Sequence, residues 1–233
     1  MREIDTLILC GGLGTRLRDA VPDRPKALAE VGGKPFLDIL LAELASQGLR
    51  RFILCVGHGA EQIIARYGPG SEGRLFFSRE ERPLGTAGAI ARALPLVRSE
   101  PFLVLNGDSL CKVSYNELLG FHESTAAALT IVGVALSERR DTGAIRADEQ
   151  RRVIEFAERG TSAGPGALYT NAGIYVMTGA ALAPAEDKVP CSLEFDVFPA
   201  LAASGRCFVF PAERPLVDIG TPERLRAAND LLG

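Results

Sequence analysis

The sequence predicts an α/β fold, and two patterns lead to this class. Over the first half of the chain, short apolar β-prone runs alternate with amphipathic helical patterns. After Ala126, strand-like runs follow one another with little helix between them. Alternating strands and helices build a mostly parallel sheet that is covered on both faces. We therefore predict a Rossmann-like, mostly parallel sheet with helices on both faces and a small β-rich lobe in the second half.

The predicted elements follow in chain order. An apolar run at 4–10 stops at Gly11-Gly12 and predicts the first strand, and apolar side chains at i, i+3 and i+4 over 36–44 predict the first helix. Further strands are predicted at 51–56, 74–78, 101–105, 128–136, 143–146, 153–156, 171–177, 207–210 and 216–219. Further helices are predicted at 60–67, 86–97, 115–123, 193–203 and 222–232.

Bulk composition narrows the class of protein. The 233 residues are 47% hydrophobic, and no Pro-, Ser- or Gly-rich linker divides them, so we expect a single domain. A net charge of −3 argues against a protein that holds nucleic acid on a broad basic face. Acidic residues near the start (Glu3, Asp5), the lack of a bilayer-long apolar run and five cysteines without C-x-x-C spacing predict a cytoplasmic protein with reduced thiols and no membrane partner. The oligomeric state stays open, with a homo-oligomer as one option.

A glycine-rich segment directly after the first strand is the strongest local motif. Residues 11–17 read GGLGTRL, and Lys26 follows in an Arg-Pro-Lys run. Glycines let several backbone N–H groups approach one phosphate, and such a nest binds anions. Arg16 and Lys26 add full positive charges, which suits a triphosphate whose leaving pyrophosphate must be neutralised.

Two other nucleotide-binding motifs also contain glycine-rich segments after a strand, but neither matches residues 11–17. The Rossmann dinucleotide pattern G-x-G-x-x-G fails because Leu17 stands where glycine or alanine is needed. The P-loop pattern fails because G-K-[ST] is missing at the required offset. A plain strand-to-helix turn with solvent-facing charges remains as the structural alternative.

With these motifs the chain resembles the sugar-1-phosphate nucleotidyltransferase family, whose pattern is a strand, then G-G-x-G-T-R-L, then P-K. The resemblance covers nearly the whole chain and is nearest to the D-glycero-D-manno-heptose 1-phosphate guanylyltransferase group, with mannose-1-phosphate guanylyltransferases as close neighbours. It implies the nucleotide-diphospho-sugar transferase fold in one domain, 1–233. The nucleotide-binding part would span about 1–125 and 190–233, and the sugar-binding lobe about 126–189. The implied reaction joins a nucleotidyl group from NTP, with GTP favoured, to a sugar 1-phosphate and releases pyrophosphate.

The resemblance also assigns residues to the nucleotide. It implies catalytic roles for Arg16, Lys26 and Asp108. A second glycine segment, at Leu84-Gly85-Thr86, resembles the family's nucleoside-contacting segment, although tight packing of a helix on the sheet would explain its small residues equally well. The implied nucleotide-binding residues are Leu9, Gly11, Gly12, Gly14, Thr15, Arg16, Lys26, Glu80, Gly85, Thr86, Asn106 and Asp108.

Two aspartates are implied as Mg²⁺ ligands. Asp108 follows one predicted strand in Asn106-Gly107-Asp108, and Asp218 follows another. Carboxylates at the carboxyl ends of strands point into the crevice where α/β proteins bind ligands, and oxygen ligands suit Mg²⁺. Each aspartate taken alone is more often a turn former or a helix cap.

The sugar side is assigned through the resemblance to Gly143, Glu158, Arg159 and Asn171. Relatives have an E-K pair here, whereas this sequence has Glu158-Arg159, so a planar guanidinium would meet the sugar phosphate. A solvated charged pair is the alternative for these two residues. The nearby segment 160–167 (GTSAGPGA) is predicted to be a flexible loop that either moves over a ligand or merely connects two strands.

The sequence also bears on which nucleobase is bound and on which other functions are open. Glu80 stands where relatives contact the base, and a carboxylate can accept both guanine N1–H and N2–H, although Glu80 can equally be a surface charge. A non-catalytic nucleotide-sugar-binding regulatory subunit is the alternative from another functional class. A transferase that acts on another hexose 1-phosphate, or on a lipid or cofactor phosphate, is the remaining alternative.

Overall fold

The computed structural model describes residues 3–17, 21–68, 73–135, 144–157, 165–185, 188–213 and 215–232. Its strands are β1 (Asp5–Leu9), β2 (Glu30–Val31), β3 (Lys34–Pro35), β4 (Arg51–Val56), β5 (Leu75–Arg79), β6 (Phe102–Asn106), β7 (Ser109–Cys111), β8 (Leu129–Ala135), β9 (Ala144–Ala147), β10 (Val153–Ala157), β11 (Ala167–Met177), β12 (Cys207–Ala212) and β13 (Leu216–Asp218). Its α-helices are α1 (Phe36–Ser46), α2 (Ala60–Tyr67), α3 (Gly85–Ala93), α4 (Tyr115–Ser124), α5 (Phe198–Ala203) and α6 (Pro222–Leu232). Shorter helical turns lie at Lys26–Leu28, Leu94–Leu96, Gly179–Ala185 and Leu193–Val197.

One large sheet organises the described residues. Nine strands belong to it: the main path runs β10-β9-β11-β6-β1-β4-β5, β8 pairs with β11, and β12 pairs with β8. Strands β5, β4, β1 and β6 are parallel, while β11 runs antiparallel to β6. The sequence prediction of a mostly parallel α/β sheet is therefore confirmed for the half of the chain that alternates strand and helix.

The strand order creates a crevice beside β1. The chain adds β4 and β5 on one side of β1 and then returns to place β6 on the other side. Ligands of open α/β sheets bind outside the carboxyl ends of strands at such a reversal. Leu9 and Asn106 are direct neighbours across the β1–β6 ladder, so the glycine-rich segment and Asp108 both begin at this point.

Both faces of the central strands are buried. Leu7 and Ile8 are each 0% exposed, yet they belong to separate apolar clusters because successive strand residues point to opposite faces. Helices α1, α4 and α6 contribute to the cluster around Ile8, and α3 and α5 contribute to the cluster around Leu7. Burial on both faces explains why the central strands have nearly continuous apolar runs.

Strand β11 bends where it reaches the crevice. Its first part, up to Thr170, pairs with β9, and its last part, from Ile174, pairs with β6. Between them Gly173 has a φ of +72°, and a Cβ there would lie 2.6 Å from Asn106 Nδ2. A left-handed glycine therefore lets the strand change partners while its backbone approaches the end of β6.

Most of the predicted elements are present, and the differences have local causes. The predicted bounds 51–56, 60–67 and 222–232 match β4, α2 and α6. The helix predicted at 86–97 ends as α-helix at Ala93 because Pro95 has no N–H for an i→i−4 bond, and a 3₁₀ turn continues it. The helix predicted at 193–203 begins as a π-helical turn before α5.

Some elements were not predicted, and one prediction falls on residues that are not described. The strands β2, β3 and β7 are only two or three residues long, too short for a periodic signal. The predicted loop at 160–167 lies mostly outside the described residues. Among the helices that the structure describes, none combines the length and the apolar character needed to cross a bilayer.

Candidate active site

A cavity of about 290 Å³ opens at the carboxyl ends of β1 and β6. Most of the residues predicted to bind the nucleotide line it, whereas Gly11, Glu80 and Gly85 lie outside its lining. Four further lining residues, Cys10, Ala27, Gly107 and Gly220, were not among the predicted site residues. The lining residues are Leu9, Cys10, Gly12, Gly14, Thr15, Arg16, Lys26, Ala27, Thr86, Asn106, Gly107, Asp108 and Gly220.

The glycine loop, residues 11–15, forms one wall of this cavity. A Cβ on Gly11 would lie 2.8 Å from Glu80 Oε1, so this position has no room for a side chain. Gly14 has a φ of +58°, and a Cβ there would lie 3.3 Å from Lys26 Cβ. A Cβ on Gly12 would meet no heavy atom within 4 Å, so the backbone at this position is open towards a ligand. The glycines therefore have different roles: two permit close packing, and one exposes backbone.

Lys26 and Asp108 meet across the cavity. The Lys26 ammonium donates a hydrogen bond to Asp108 Oδ2, and the two side chains are 15% and 34% exposed. Lys26 is held there by a 3₁₀ turn that starts after Pro25. Arg16 is exposed on the cavity wall, and its guanidinium forms no hydrogen bond or ion pair with the described residues. The Lys26 ammonium is thus paired with a carboxylate, whereas the Arg16 guanidinium faces solvent.

Asp218 is not itself a lining residue, but a short antiparallel ladder places it two residues before Gly220, which lines the cavity. Strand β13 pairs with β7 so that Asp218 lies opposite Ser109, and the Ile219 N–H donates to the Asp108 carbonyl oxygen at 3.0 Å. A Cβ on Gly220 would lie 3.0 Å from Asp218 Oδ1 and 3.5 Å from Lys26 Nζ. The absence of a side chain at Gly220 therefore lets Asp218, Lys26 and the Arg224 guanidinium border one small space. Lys26 connects this space to Asp108 through its hydrogen bond.

The two carboxylates suit a divalent cation that a substrate helps to bind. Asp218 Oδ1 accepts hydrogen bonds from Arg224 Nη1 at 2.9 Å and from the Gly220 N–H at 3.1 Å. Within the described ranges no group of three or more His, Cys, Asp or Glu residues could hold a metal ion. Mg²⁺ commonly binds through one or two carboxylates together with substrate phosphates and water. Asp108 and Asp218 fit that pattern of ligands, and an all-protein metal cage is not present among these residues.

The first turn of α3 is hydrogen-bonded to Cys191, which lies far from it in the sequence. The Cys191 carbonyl oxygen accepts hydrogen bonds from the N–H groups of Ala87 at 3.0 Å and Gly88 at 3.4 Å. Gly85 has a φ of +77°, and a Cβ there would lie 2.2 Å from the same oxygen. These first-turn N–H groups of α3 are therefore bound to protein, while Thr86 still lines the cavity.

Glu80 lies behind the glycine loop. Its Oε2 accepts a hydrogen bond from the Leu84 N–H at 3.1 Å, and its Oε1 lies against the backbone of Gly11 and Gly57. The carboxylate is half-buried and borders the loop that carries the glycines predicted to bind the nucleotide. The structure thus places Glu80 next to the predicted nucleotide-binding residues without making it part of the cavity wall.

The sugar side is described only in part. Gly143, Glu158 and Arg159 lie outside the described residues. Asn171 lies on β11 where the strand bends: its Oδ1 accepts from the Gly173 N–H at 2.9 Å, and its Nδ2 donates to the Tyr175 hydroxyl at 2.9 Å. Only this member of the predicted sugar-binding set can be placed relative to the cavity.

One buried cysteine, Cys10, lines the cavity. All five cysteines of the chain are buried. Burial is the main cause that raises the pKa of the Cys10 thiol far above its usual range, with Cys55 and Asp108 adding to the effect. Burial likewise raises the pKa of Cys55 to about 12. A thiolate nucleophile is therefore strongly disfavoured at Cys10 and Cys55.

Comparison with known proteins agrees with this site. The family described as Nucleotidyl transferase matches residues 5–232. This chain belongs to that family. A mannose-1-phosphate guanylyltransferase of Mycobacterium tuberculosis is 34% identical over 239 residues, which cover 99% of this chain and 65% of that protein. The mannose-1-phosphate guanylyltransferase catalytic subunit beta of Drosophila melanogaster is 36% identical over 224 residues, 93% of this chain and 59% of that protein. The chain thus spans less than two thirds of the length of these relatives.

Two solved structures show the same fold over all or nearly all of their length. HddC from Yersinia pseudotuberculosis, complexed with GMP-PN, is 30% identical with a TM-score of 0.84 and covers 99% of this chain and 100% of its own. A putative glucose-1-phosphate thymidylyltransferase from Bacillus anthracis has a TM-score of 0.83 at 19% identity over 98% of this chain and 94% of its own, which shows the fold alone. The resemblance inferred from the sequence motifs is therefore confirmed at the level of the family and the fold.

Proposed function

We propose that this chain transfers a nucleotidyl group from an NTP, with GTP preferred, to a sugar 1-phosphate and releases pyrophosphate. The observation that carries the proposal is that Lys26 lies beside both carboxylates: it donates to Asp108 in the cavity that the glycine loop also lines, and it borders Gly220 together with Asp218. An open backbone, a lysine and two carboxylates suit a triphosphate accompanied by a divalent cation. Membership of the Nucleotidyl transferase family supports the same reaction.

The charges of the site explain how two anions can react. A sugar-phosphate oxygen attacks the α-phosphorus in line while pyrophosphate leaves on the opposite side, so positioning and charge neutralisation should dominate catalysis. Arg16 and Lys26 would bind the phosphates, since one faces solvent and the other can exchange Asp108 for a phosphate oxygen. A phosphate monoester has a second pKa of about 6, so the nucleophile is already ionised and needs no general base.

We propose that Asp108 and Asp218 hold Mg²⁺ together with phosphate oxygens of the nucleotide. When bound, the ion would neutralise charge that develops on the leaving pyrophosphate. Arg224 would keep the Asp218 carboxylate in place beside the shared space, because its guanidinium donates to Oδ1.

Guanine is the base that we propose, with Glu80 as the group that reads it. Its remaining oxygen, Oε1, borders the glycine loop, and a carboxylate can accept both N1–H and N2–H of guanine. The names of the relatives from Mycobacterium tuberculosis and Drosophila melanogaster, and the GMP-PN complex of HddC, support a guanine nucleotide.

For the sugar we propose D-glycero-α-D-manno-heptose 1-phosphate first, on the sequence resemblance. Mannose 1-phosphate is the second candidate, favoured by the names of relatives that are 34% and 36% identical. The sugar would bind to the part of the chain at about 126–189, with Asn171 and the undescribed Gly143, Glu158 and Arg159 as contacts. We place the reaction in the cytoplasm, which fits five buried thiols. A homo-oligomer is compatible with this function.

One assay tests the proposal. Purified protein is mixed with Mg²⁺, each of four NTPs and the 1-phosphates of heptose, mannose, glucose and N-acetylglucosamine, and pyrophosphate release is measured. The proposal predicts release with GTP and a manno-configured sugar phosphate. Release only with another base or sugar refutes that substrate pair, and no release with tight GDP-sugar binding supports a regulatory subunit instead.

A further inference from the structure

A row of four hydrogen-bonding side chains leads from the cavity to the surface. Asn106 lines the cavity, and its side-chain amide interacts with the Tyr175 hydroxyl. Asn171 Nδ2 donates to that hydroxyl at 2.9 Å and to Glu194 Oε1 at 3.4 Å. We call these four residues, Asn106, Tyr175, Asn171 and Glu194, the polar row. It connects the end of β6 beside Asp108 to a carboxylate at the surface.

The buried and exposed ends of the polar row differ in what they can bind. Tyr175 is 2% exposed, and burial raises its pKa far above the usual range, with the Glu194 carboxylate as the next cause. Glu194 is exposed, and within the described residues its side chain accepts one hydrogen bond, the long one from Asn171. A carboxylate has about four acceptor positions, so most of those on Glu194 have no donor among the described residues. The inner residues therefore fix the row, and the outer carboxylate can accept further O–H donors.

Glu194 is held at a fixed place relative to the nucleotide segment. It lies in the π-helical turn Leu193–Val197, and the Leu193 N–H donates to Thr86 Oγ1 at 2.8 Å. The preceding Cys191 is hydrogen-bonded in both directions, accepting from Ala87 at 3.0 Å and donating to the Leu84 carbonyl oxygen at 2.8 Å. Because Thr86 lines the cavity, a carboxylate one residue after Leu193 is tied to the cavity wall.

We propose that Glu194 is a specificity-determining residue that accepts hydroxyl groups of the sugar 1-phosphate. This inference rests on the proposed function. The two oxygens of a carboxylate can accept from two neighbouring hydroxyls at once, so the orientation of a sugar diol decides how many hydrogen bonds form. Tyr175 is a positioning residue, because its buried hydroxyl holds Asn171. Asn171, itself a proposed sugar contact, donates to Glu194 and so orients the carboxylate.

The test compares Glu194→Gln, Glu194→Ala and Tyr175→Phe with wild type. Glu123→Gln is the matched control, because Glu123 is exposed on α4 with no side-chain partner among the described residues. Loss of a charged acceptor should raise KM for the sugar 1-phosphate roughly 10-fold in Glu194→Gln and more in Glu194→Ala, with KM for GTP unchanged. Tyr175→Phe should give a smaller rise of about 3-fold, since the carboxylate remains but loses part of its support.

Deoxy sugar 1-phosphates identify the hydroxyls concerned. Against the analogue that lacks a contacted hydroxyl, Glu194→Ala should behave like wild type. The inference is overturned if Glu194→Ala leaves KM for every sugar phosphate unchanged, or if KM for GTP rises equally. Melting temperatures close to wild type show that the variants fold.

Calorimetric titration with sugar 1-phosphate in the presence of GDP separates this inference from the proposed function. A wild-type chain that binds the sugar phosphate but releases no pyrophosphate refutes the enzyme, and weaker binding by Glu194→Ala then still supports the role of Glu194. Equal binding by wild type and Glu194→Ala overturns the inference alone. A wild-type chain that binds no sugar phosphate overturns both.

Discussion

Replacing Lys26 with methionine should have opposite effects on metal binding and on turnover. In the structure the Lys26 ammonium occupies Asp108 Oδ2, which belongs to one of the two carboxylates proposed to hold Mg²⁺. Removing the ammonium frees that oxygen for a cation, while the phosphates of GTP lose a positive charge. A purely structural role for Lys26 would not move the two properties in opposite directions.

The expected magnitudes follow from the burial of the pair. The side chains are 15% and 34% exposed, so the ion pair is worth about 1 kcal/mol, near the upper end of the range for exposed pairs. Its loss should tighten Mn²⁺ binding in the absence of nucleotide about 5-fold. Turnover should fall by about 10²–10³-fold, as when one preorganised donor to a developing charge is lost.

Mn²⁺ affinity can be measured by electron paramagnetic resonance of the free ion, and turnover by pyrophosphate release. Lys34→Met is the control, because Lys34 is exposed on the β2–β3 hairpin away from the cavity. Unchanged Mn²⁺ affinity together with near-normal turnover in Lys26→Met would refute the assigned role of Lys26.

Three further predictions concern residues around the site and the core. Gly85→Ala should lower the free energy of unfolding by about 2–4 kcal/mol, because Gly85 has a left-handed φ of +77° and a Cβ there would lie 2.2 Å from the Cys191 carbonyl oxygen. Urea titrations measure this change, and an unchanged unfolding midpoint would contradict it. Burial lowers the pKa of His122 to about 4, so the unfolded chain takes up the proton at a higher pH than the folded one. The free energy of unfolding should therefore fall as the pH drops from about 6.5 to about 4, and His122→Asn should show a flatter pH profile. Parallel profiles of wild type and variant would contradict this prediction. Glu80→Gln should reduce the kcat/KM preference for GTP over ATP about 10-fold, whereas Glu81→Gln should not; equal preference in both variants would remove Glu80 as the base reader.

The regular elements could be predicted because their signal is local. Strand β4 (Arg51–Val56) and helix α2 (Ala60–Tyr67) have the bounds expected from apolar runs and periodicity. The glycine loop was also predictable, since residue types with special backbone freedom follow directly after a strand. In these cases the residues that determine the local structure lie within one short stretch of sequence.

The remaining parts of the site depend on contacts between distant segments. Gly220 borders Lys26 together with Asp218 because β13 pairs with β7, a strand of three residues that gives no periodic pattern. Glu194 lies near Asn171 because Cys191 and Thr86 hold its segment against the start of α3. The D-I-G-T-P run that contains Gly220 and the N-A-G-I-Y run that contains Tyr175 were visible signals, but neither states which distant residue it meets.

A double-mutant cycle on the two aspartates tests the central claim most directly, namely that the glycine loop, Lys26 and both carboxylates serve one ligand. The affinity for Mn²⁺ is measured with a non-hydrolysable GTP analogue for wild type, Asp108→Asn, Asp218→Asn and the double variant. If both carboxylates hold one cation, each single change should weaken binding about 10-fold or more, and the double variant should be far from additive. Additive effects, or full affinity in either single variant, would contradict the account.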